Sequence, residues 1–291
     1  MSDFKSRLLV LLQKFLPRLA LTALVFRLAR IRTISIKNFL IRQFVSLYEV
    51  NVEEVKQSVP DDFSTFNDFF IRELAAGARQ IDPAIESLVS PADGTVSAAG
   101  KIDKDRIFQA KGLHYTLTDL LATDIDDADK FIDGTFATIY LSPRDYHRVH
   151  SPLAGELVAA RYVPGDLFSV NAATVAYLPN LFTRNERLIC HLATGYGPIV
   201  LILVGALNVG SISTRWSGDL RPRKKGVVDN IDIAKNGIST RLDKGDPIGW
   251  FNMGSTVIVL LPPGSCAALS ALASGTKVRM GQAIGNMKKH A

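Results

Sequence analysis

What most restricts the fold of this chain is a succession of short apolar runs, each closed by turn residues, that begins near residue 88 and continues to residue 280. The runs cover residues 88–89, 94–98, 136–141, 157–163, 187–193, 199–204, 209–216, 256–261 and 277–280. They are short for helices, and the run at 256–261 (TVIVLL) carries the β-branched side chains that suit a buried, pleated strand. Such spacing predicts a β-rich body. It argues against a doubly wound α/β sheet, which needs a helix between successive strands. At 291 residues, 47% of them apolar, the chain can bury a core of this kind as one large domain or as two.

Upstream the pattern is helical. Residues 44–76 read as helix in pieces, with Asp61 or Ser64 as an N-cap and Phe66, Phe69 and Phe70 as core aromatics. In residues 1–43, Leu8, Leu11, Leu12, Phe15 and Leu19 share one helical face while Arg7, Lys14 and Arg18 share another. Pro17 breaks or kinks this helix, and a second segment sets Leu21, Leu24, Val25 and Leu28 against Arg27, Arg30 and Arg32. The expected fold class is α+β: an amphipathic helical arm, residues 1–43, joined to a β-rich body, residues 44–291.

The charge follows the same division. Residues 1–42 hold nine basic residues and one acid, a net +8, so the rest of the chain stands at −2 within the total of +6. A nucleic-acid partner calls for basic charge across the folded body, so none is expected. Basic amphipathic helices suit the interface of an anionic membrane, although a helical pair packed on the protein's own core has the same periodicity. No apolar run approaches the roughly 18 residues of a membrane span, since residues 19–26 are closed by Arg18 and Arg27. The N-terminal stretch does not read as a secretory signal, because charges interrupt it and no small-residue cleavage site follows. Cys190 and Cys266 lack metal-ligand spacing and form no disulfide scaffold, which points to a reducing compartment.

Three short segments carry the polar chemistry. Ser255, in Gly254-Ser255-Thr256, lies at the mouth of the 256–261 strand, after a charge-dense region at 216–249 that includes Arg221-Pro222-Arg223-Lys224-Lys225 and reads as a solvated loop or hairpin set. His147 and His150 stand together in Tyr146-His147-Arg148-Val149-His150, short of the partners a metal needs but suited to acid–base work near neutral pH. Asp93, in Pro91-Ala92-Asp93-Gly94, is either a turn residue or the carboxylate that orients one imidazole. Asp93, His150 and Ser255 are the right types to activate a hydroxyl, although spacing does not show that they meet. His114, His191 and His290 have no comparable setting and are expected to be structural or on the surface. There is no Gly-x-Ser-x-Gly elbow, no Gly-x-Gly-x-x-Gly and no Walker sequence, so an ordinary α/β-hydrolase and the usual nucleotide sites are disfavoured.

These segments, in this order, resemble the phosphatidylserine decarboxylase family of the bacterial and mitochondrial type. The likeness extends to Phe69-Phe70-Ile71-Arg72-Glu73-Leu74, Gln109-Ala110-Lys111-Gly112, Pro164-Gly165-Asp166-Leu167-Phe168-Ser169-Val170-Asn171 and Thr183-Arg184-Asn185-Glu186-Arg187, and so covers most of residues 60–290. Met253 stands where the family usually has Leu, an apolar exchange.

The resemblance implies a self-processing enzyme. His150, oriented by Asp93, takes the proton of Ser255, whose hydroxyl attacks the Gly254 carbonyl. The chain parts into a β chain, residues 1–254, and an α chain, residues 255–291, whose first residue becomes a covalent pyruvoyl group. That ketone forms a Schiff base with phosphatidylserine, and loss of CO2 gives phosphatidylethanolamine. His147 would promote decarboxylation and manage its proton, Tyr140 and Ser169 would line the headgroup site, and no metal is called for. The likeness further implies a peripheral protein on the cytoplasmic face of the cell membrane, with phosphatidylserine and an anionic surface as partners and a homodimer of processed units as the assembly. Two other classes remain open on the residues alone: a serine hydrolase or autoprotease using the same Asp93, His150 and Ser255 without pyruvoyl formation, and a membrane-surface binding protein without catalysis.

Overall fold

A computed structural model describes residues 3–122, 128–208, 211–223 and 226–289. His290, Lys224, Lys225 and the first two residues of the 209–216 run lie outside them. The helices are α1 (Asp3–Phe15), α2 (Arg18–Leu28), α3 (Ile34–Tyr48), α4 (Phe66–Phe70), α5 (Leu117–Leu121), α6 (Ala172–Tyr177) and α7 (Leu181–Arg184). The strands from the N-terminal side are β1 (Ser87–Val89), β2 (Gly94–Lys101), β3 (Arg106–Ala110), β4 (Leu113–Thr116), β5 (Thr135–Leu141), β6 (Arg148–His150), β7 (Gly155–Val163), β8 (Arg187–Thr194) and β9 (Gly197–Val204). They continue as β10 (Ile212–Thr214), β11 (Gly218–Leu220), β12 (Asp229–Ile231), β13 (Arg241–Leu242), β14 (Pro247–Phe251), β15 (Ser255–Leu261), β16 (Lys277–Val278) and β17 (Ala283–Asn286).

The class is α+β with a β-rich body, as the spacing of the apolar runs predicts. A nine-stranded sheet runs β12-β7-β8-β9-β15-β5-β2-β16, with β13 also on β7. Its ladders are antiparallel, which rules out the doubly wound arrangement. β15 lies in the middle, between β9 and β5, and all seven of its residues are buried, which is why its sequence is a continuous apolar run rather than an alternation. A smaller sheet runs β11-β10-β14-β6.

Of the connections that pass between these sheets, two set the site. β5 passes through residues 142–147 into β6, and β14 passes through residues 252–254 into β15. Because Leu141 is opposite Ser255 in the large sheet and Arg148 is opposite Trp250 in the small one, the two crossings run side by side. The Phe251 N–H donates to the His147 carbonyl at 3.0 Å, which extends the pairing into the crossing.

Several local expectations change. Thr65, not Asp61 or Ser64, caps α4, its side chain accepting from the Asp68 N–H, while Phe66, Phe69 and Phe70 are buried as expected. The 216–249 region contributes short edge strands, with β12 and β13 both on β7. The β3–β4 hairpin was not expected, since Phe108 is exposed and the apolar signal there is weak. Cys190 and Cys266 are buried, free thiols.

The arm is turned inside out relative to an ordinary surface helix. Ser6, Gln13, Thr22 and Lys37 are buried beside Val10, Ala29 and Ile41, whereas Leu8, Leu11, Leu12, Phe15, Leu24, Leu28, Ile34, Phe39 and Leu47 are exposed. Polar bonds dock it: Gln13 Nε2 donates to Thr174 Oγ1 at 3.0 Å, the Ser169 N–H donates to Gln13 Oε1 at 2.9 Å, and Lys37 Nζ donates to the Pro60 carbonyl at 2.9 Å. Arg18 turns inward, donating to Asp166 at 2.6 and 2.9 Å and lying over the Phe168 ring. The boundary drawn at residue 43 falls inside α3, whose inner face joins Ile41 and Phe44 to an aromatic cluster with Phe63, Phe66, Phe69 and Phe70. Among the described residues no single helix is long and apolar enough to cross a membrane, and α1 and α2 meet at a bend of 86°.

Candidate active site

Ser255 begins β15 and is fully buried, and its Oγ has no hydrogen-bond partner. A buried hydroxyl without a partner carries a cost of about 1–3 kcal/mol, so its setting asks for a reason. Gly254 precedes it in the crossing. A Cβ placed there would stand 3.8 Å from His147 Nε2 and 3.8 Å from the Leu141 carbonyl oxygen. The side-by-side crossings thus bring His147 against the Gly254–Ser255 peptide bond.

His147 is wholly buried, with its ring 4.2 Å from that of Phe70, centroid to centroid. Its Nδ1 lies 2.8 Å from the Asp145 carbonyl, which can only accept, so Nδ1 carries the proton and Nε2 keeps a lone pair. Nε2 is likewise buried without a partner. Burial, reinforced by the Arg72 guanidinium, pulls this imidazole down to about 3 and keeps it neutral. The structure therefore holds a neutral base-form nitrogen beside Gly254 and a partnerless hydroxyl on the residue that follows it.

His150, at the end of β6, has a different environment. Its Nδ1 donates to the Gly245 carbonyl at 2.8 Å, and its Nε2 accepts from the Tyr146 hydroxyl at 3.0 Å. Burial lowers its pKa too, and burial raises that of Tyr146 to about 12, so the phenol stays a donor. Asp93 bonds not to either imidazole but to Arg79, at 2.5–3.1 Å, and to the Met280 N–H at 2.8 Å. Arg79 in turn donates to Glu54 at 2.8 Å. Of the Asp93, His150 and Ser255 set, no pair is joined by a described hydrogen bond. Asp93 nevertheless lies near enough for its charge to favour the protonated form of His150. Gly94 after it is fixed by packing, since a Cβ there would meet the Tyr140 carbonyl.

Tyr140 is opposite Thr256 across β5 and β15, one position along from Ser255. Ser169 lies where α1 docks, its N–H on Gln13 and its Oγ accepting from the Asn171 N–H at 3.3 Å. The sequence assigns no part in the site to Arg79, Tyr146, Arg72 or Asn252, and reads Phe70 only as a core aromatic, although four of the five sit inside or beside the segments that carry the resemblance. Their part depends on contacts between segments far apart in the chain.

A β-rich body in which a histidine faces a buried glycine–serine bond of its own chain is the class that fold and site define. The family model described as phosphatidylserine decarboxylase matches residues 66–286, and one described as PSD matches residues 8–49. A protein of Methylococcus capsulatus named phosphatidylserine decarboxylase proenzyme is 44% identical over 288 residues, 99% of each chain. Proteins of the same name from Actinobacillus pleuropneumoniae and Chromobacterium violaceum are 46% and 47% identical, over 97% and 96% of this chain and 96% and 98% of theirs. The chain belongs to the phosphatidylserine decarboxylase family.

Proposed function

We propose that this protein decarboxylates phosphatidylserine to phosphatidylethanolamine and CO2, and that it first cuts itself between Gly254 and Ser255 to build a pyruvoyl group at position 255. The observation that carries the proposal is the burial of a partnerless Ser255 Oγ beside a glycine that faces His147 Nε2. The relatives' name, proenzyme, supports processing.

In the cutting step Ser255 Oγ loses its proton to a histidine and attacks the Gly254 carbonyl carbon, and the Gly254–Ser255 amide becomes an ester with a free Ser255 amine. Loss of the Ser255 α-proton then expels the Gly254 carboxylate, and water replaces the nitrogen, which leaves as ammonia. The products are a β chain, residues 1–254, and an α chain, residues 255–291. Asp93, His150 and Ser255 are the proposed cutting set, with Asp93 favouring the protonated form of His150. The pyruvoyl group supplies an electrophilic ketone that takes up electrons as CO2 leaves. His147 is the proposed group for decarboxylation, since its Nε2 lone pair can hold or move a proton at residue 255. Tyr140 and Ser169 are proposed to line the headgroup site, Tyr140 by its place beside Thr256 and Ser169 by its place under the arm.

A two-chain lipid stays in its bilayer, so the enzyme has to sit on the membrane. The exposed apolar side chains of the arm support peripheral attachment to the cytoplasmic face of a cell membrane, with anionic lipid as partner. A homodimer of processed units is the proposed assembly.

The geometry favours one variation on the proton step: His147, not His150, stands beside Gly254, so His147 also qualifies as the base for cutting. Intact-mass analysis tests the whole reading. Wild-type protein should appear as two chains, the smaller with a blocked N-terminus of pyruvoyl mass, and Ser255→Ala should remain whole. One unsplit, active wild-type polypeptide overturns it and leaves the hydrolase reading. His150→Ala should stop cutting while His147→Ala should spare cutting and abolish decarboxylation; cutting that His147→Ala blocks and His150→Ala spares would make His147 the base.

A further inference from the structure

His147 and the Gly254–Ser255 bond belong to two crossings, yet both are tied to the same short stretch of chain, residues 67–72. At its far end Arg72, only 4% exposed, donates through Nη2 to the Arg144 carbonyl at 2.8 Å and the Asp145 carbonyl at 3.3 Å. The Asp145 carbonyl is the same atom that accepts from His147 Nδ1. Its position therefore decides where the Nδ1 proton points and, through the rigid ring, where Nε2 points. Phe70 packs on the ring from the same segment. A return clamp runs the other way, from Arg148 Nε to the Ile71 carbonyl at 2.9 Å.

At its near end Asn67 Nδ2 donates to Asn252 Oδ1 at 3.0 Å. Asn252 is itself almost wholly buried, and its Nδ2 donates to Ser211 Oγ at 2.6 Å and Ser213 Oγ at 2.8 Å. The residue two before Gly254 is thus pinned between β10 and the Asn67 amide. Met253, next along, packs against both the aromatic cluster and the main core.

We infer that residues 67–72 act as a single jig that sets His147 Nε2 against the Gly254–Ser255 bond, with Arg72 and Asn67 as positioning residues that touch neither the reacting bond nor the lipid. The inference rests on Gly254–Ser255 being the processed bond. A guanidinium is suited to the Arg72 position because it reaches two adjacent carbonyls while staying charged, and that charge also disfavours protonation of His147.

The experiment has two readouts. In uncut Ser255→Ala protein, solubilised in detergent, 15N NMR of the histidine rings should show His147 as one neutral Nδ1–H tautomer, and Arg72→Gln should turn it into a mixture of tautomers. In protein with Ser255 intact, Asn67→Ala, which frees the reacting bond, should slow appearance of the α chain, and Arg72→Gln, which frees His147, should lower kcat for decarboxylation, each on the order of 100-fold for a displacement near 1 Å. Arg72→Lys, which keeps a charged donor, should lie between wild type and Gln. It serves as the second variant if Arg72→Gln does not fold. A wild-type cutting rate in folded Asn67→Ala, or a wild-type kcat or an unchanged His147 spectrum in the folded Arg72 variants, overturns the jig while leaving the function standing. Wild-type protein that never cuts removes the processing reading instead, and the His147 spectrum still reports whether Arg72 fixes the ring.

Discussion

The helices α1–α3 and the strand β15 are both rich in Leu, Ile, Val and Phe, and they use those residues in opposite ways. All of β15 is buried between β9 and β5, whereas Phe15 is 79% exposed, Leu47 74% and Phe39 61%. In the arm Ser6, Gln13, Thr22 and Lys37 are buried beside Val10, Ala29 and Ile41. The body satisfies its apolar residues within itself; the arm is held to the body by polar bonds together with Val10, Ala29 and Ile41, and leaves many of its large apolar side chains uncovered. The periodicity of a helix reports that it has two faces and does not report which one the protein covers.

The widest separation between the two regions should appear in stability. Ile258→Ala in β15 should cost about 2–5 kcal/mol by urea unfolding, the transfer loss plus the cavity left in a wholly buried site. Phe15→Ser, with its side chain already in contact with solvent, should stay within about 0.5 kcal/mol. Equal losses would mean that the arm is part of the core after all.

Charge separates the regions next. Glu186 is wholly buried in the body and accepts from the Tyr162 hydroxyl at 2.5 Å, and burial pushes its carboxyl up to about 7. An acid whose folded pKa lies above its unfolded value near 4.5 binds more protons when folded. Its contribution is therefore complete below about pH 4.5 and is lost as pH rises to 7, roughly 3 kcal/mol across that window. Glu186→Gln should remove that slope, measured as the difference from wild type at pH 5 and pH 7.5.

Membrane binding should show the reverse dependence. Phe15→Ser, Phe39→Ser and Leu47→Ser combined should weaken sedimentation with anionic vesicles at least tenfold while leaving unfolding almost unchanged, since each removes an apolar side chain that the body does not cover. If binding is unaffected, the exposed face serves something other than a lipid surface.

The contrast also shows what a sequence makes legible. Residues 256–261 announce β15 because a strand buried on both faces needs a continuous apolar run, and Phe66, Phe69 and Phe70 announce their cluster by composition. The pairing of His147 with Gly254 was not legible, because it depends on two crossings more than a hundred residues apart whose registers, Leu141 on Ser255 and Arg148 on Trp250, are set by strand pairing. Nor was Arg79 as the partner of Asp93, since a carboxylate before glycine reads equally well as a turn residue, a base's orienter or an ion-pair partner. Residue types narrow the chemistry, and tertiary register decides which atoms meet.

The smallest predicted effect tests the inverted face directly. On an ordinary amphipathic helix, replacing a buried Gln with Leu adds apolar burial and tends to stabilise. Gln13 is instead bonded on both sides of its amide, with Nε2 on Thr174 Oγ1 and Oε1 accepting from the Ser169 N–H. The Thr174 hydroxyl already donates to Asn171 Oδ1 and loses only an acceptor contact when Gln13 goes, but the Ser169 N–H loses the partner described for it. A part-buried N–H left without an acceptor outweighs the few added methyl contacts, so Gln13→Leu should destabilise by about 1 kcal/mol. Gln13→Glu, which keeps the acceptor but loses the donor, should keep the Ser169 bond and lose the one to Thr174. Thermal unfolding of the two variants beside wild type reads the sign, and a stabilising Gln13→Leu would return α1 to the class of helices that bury their apolar face in the protein.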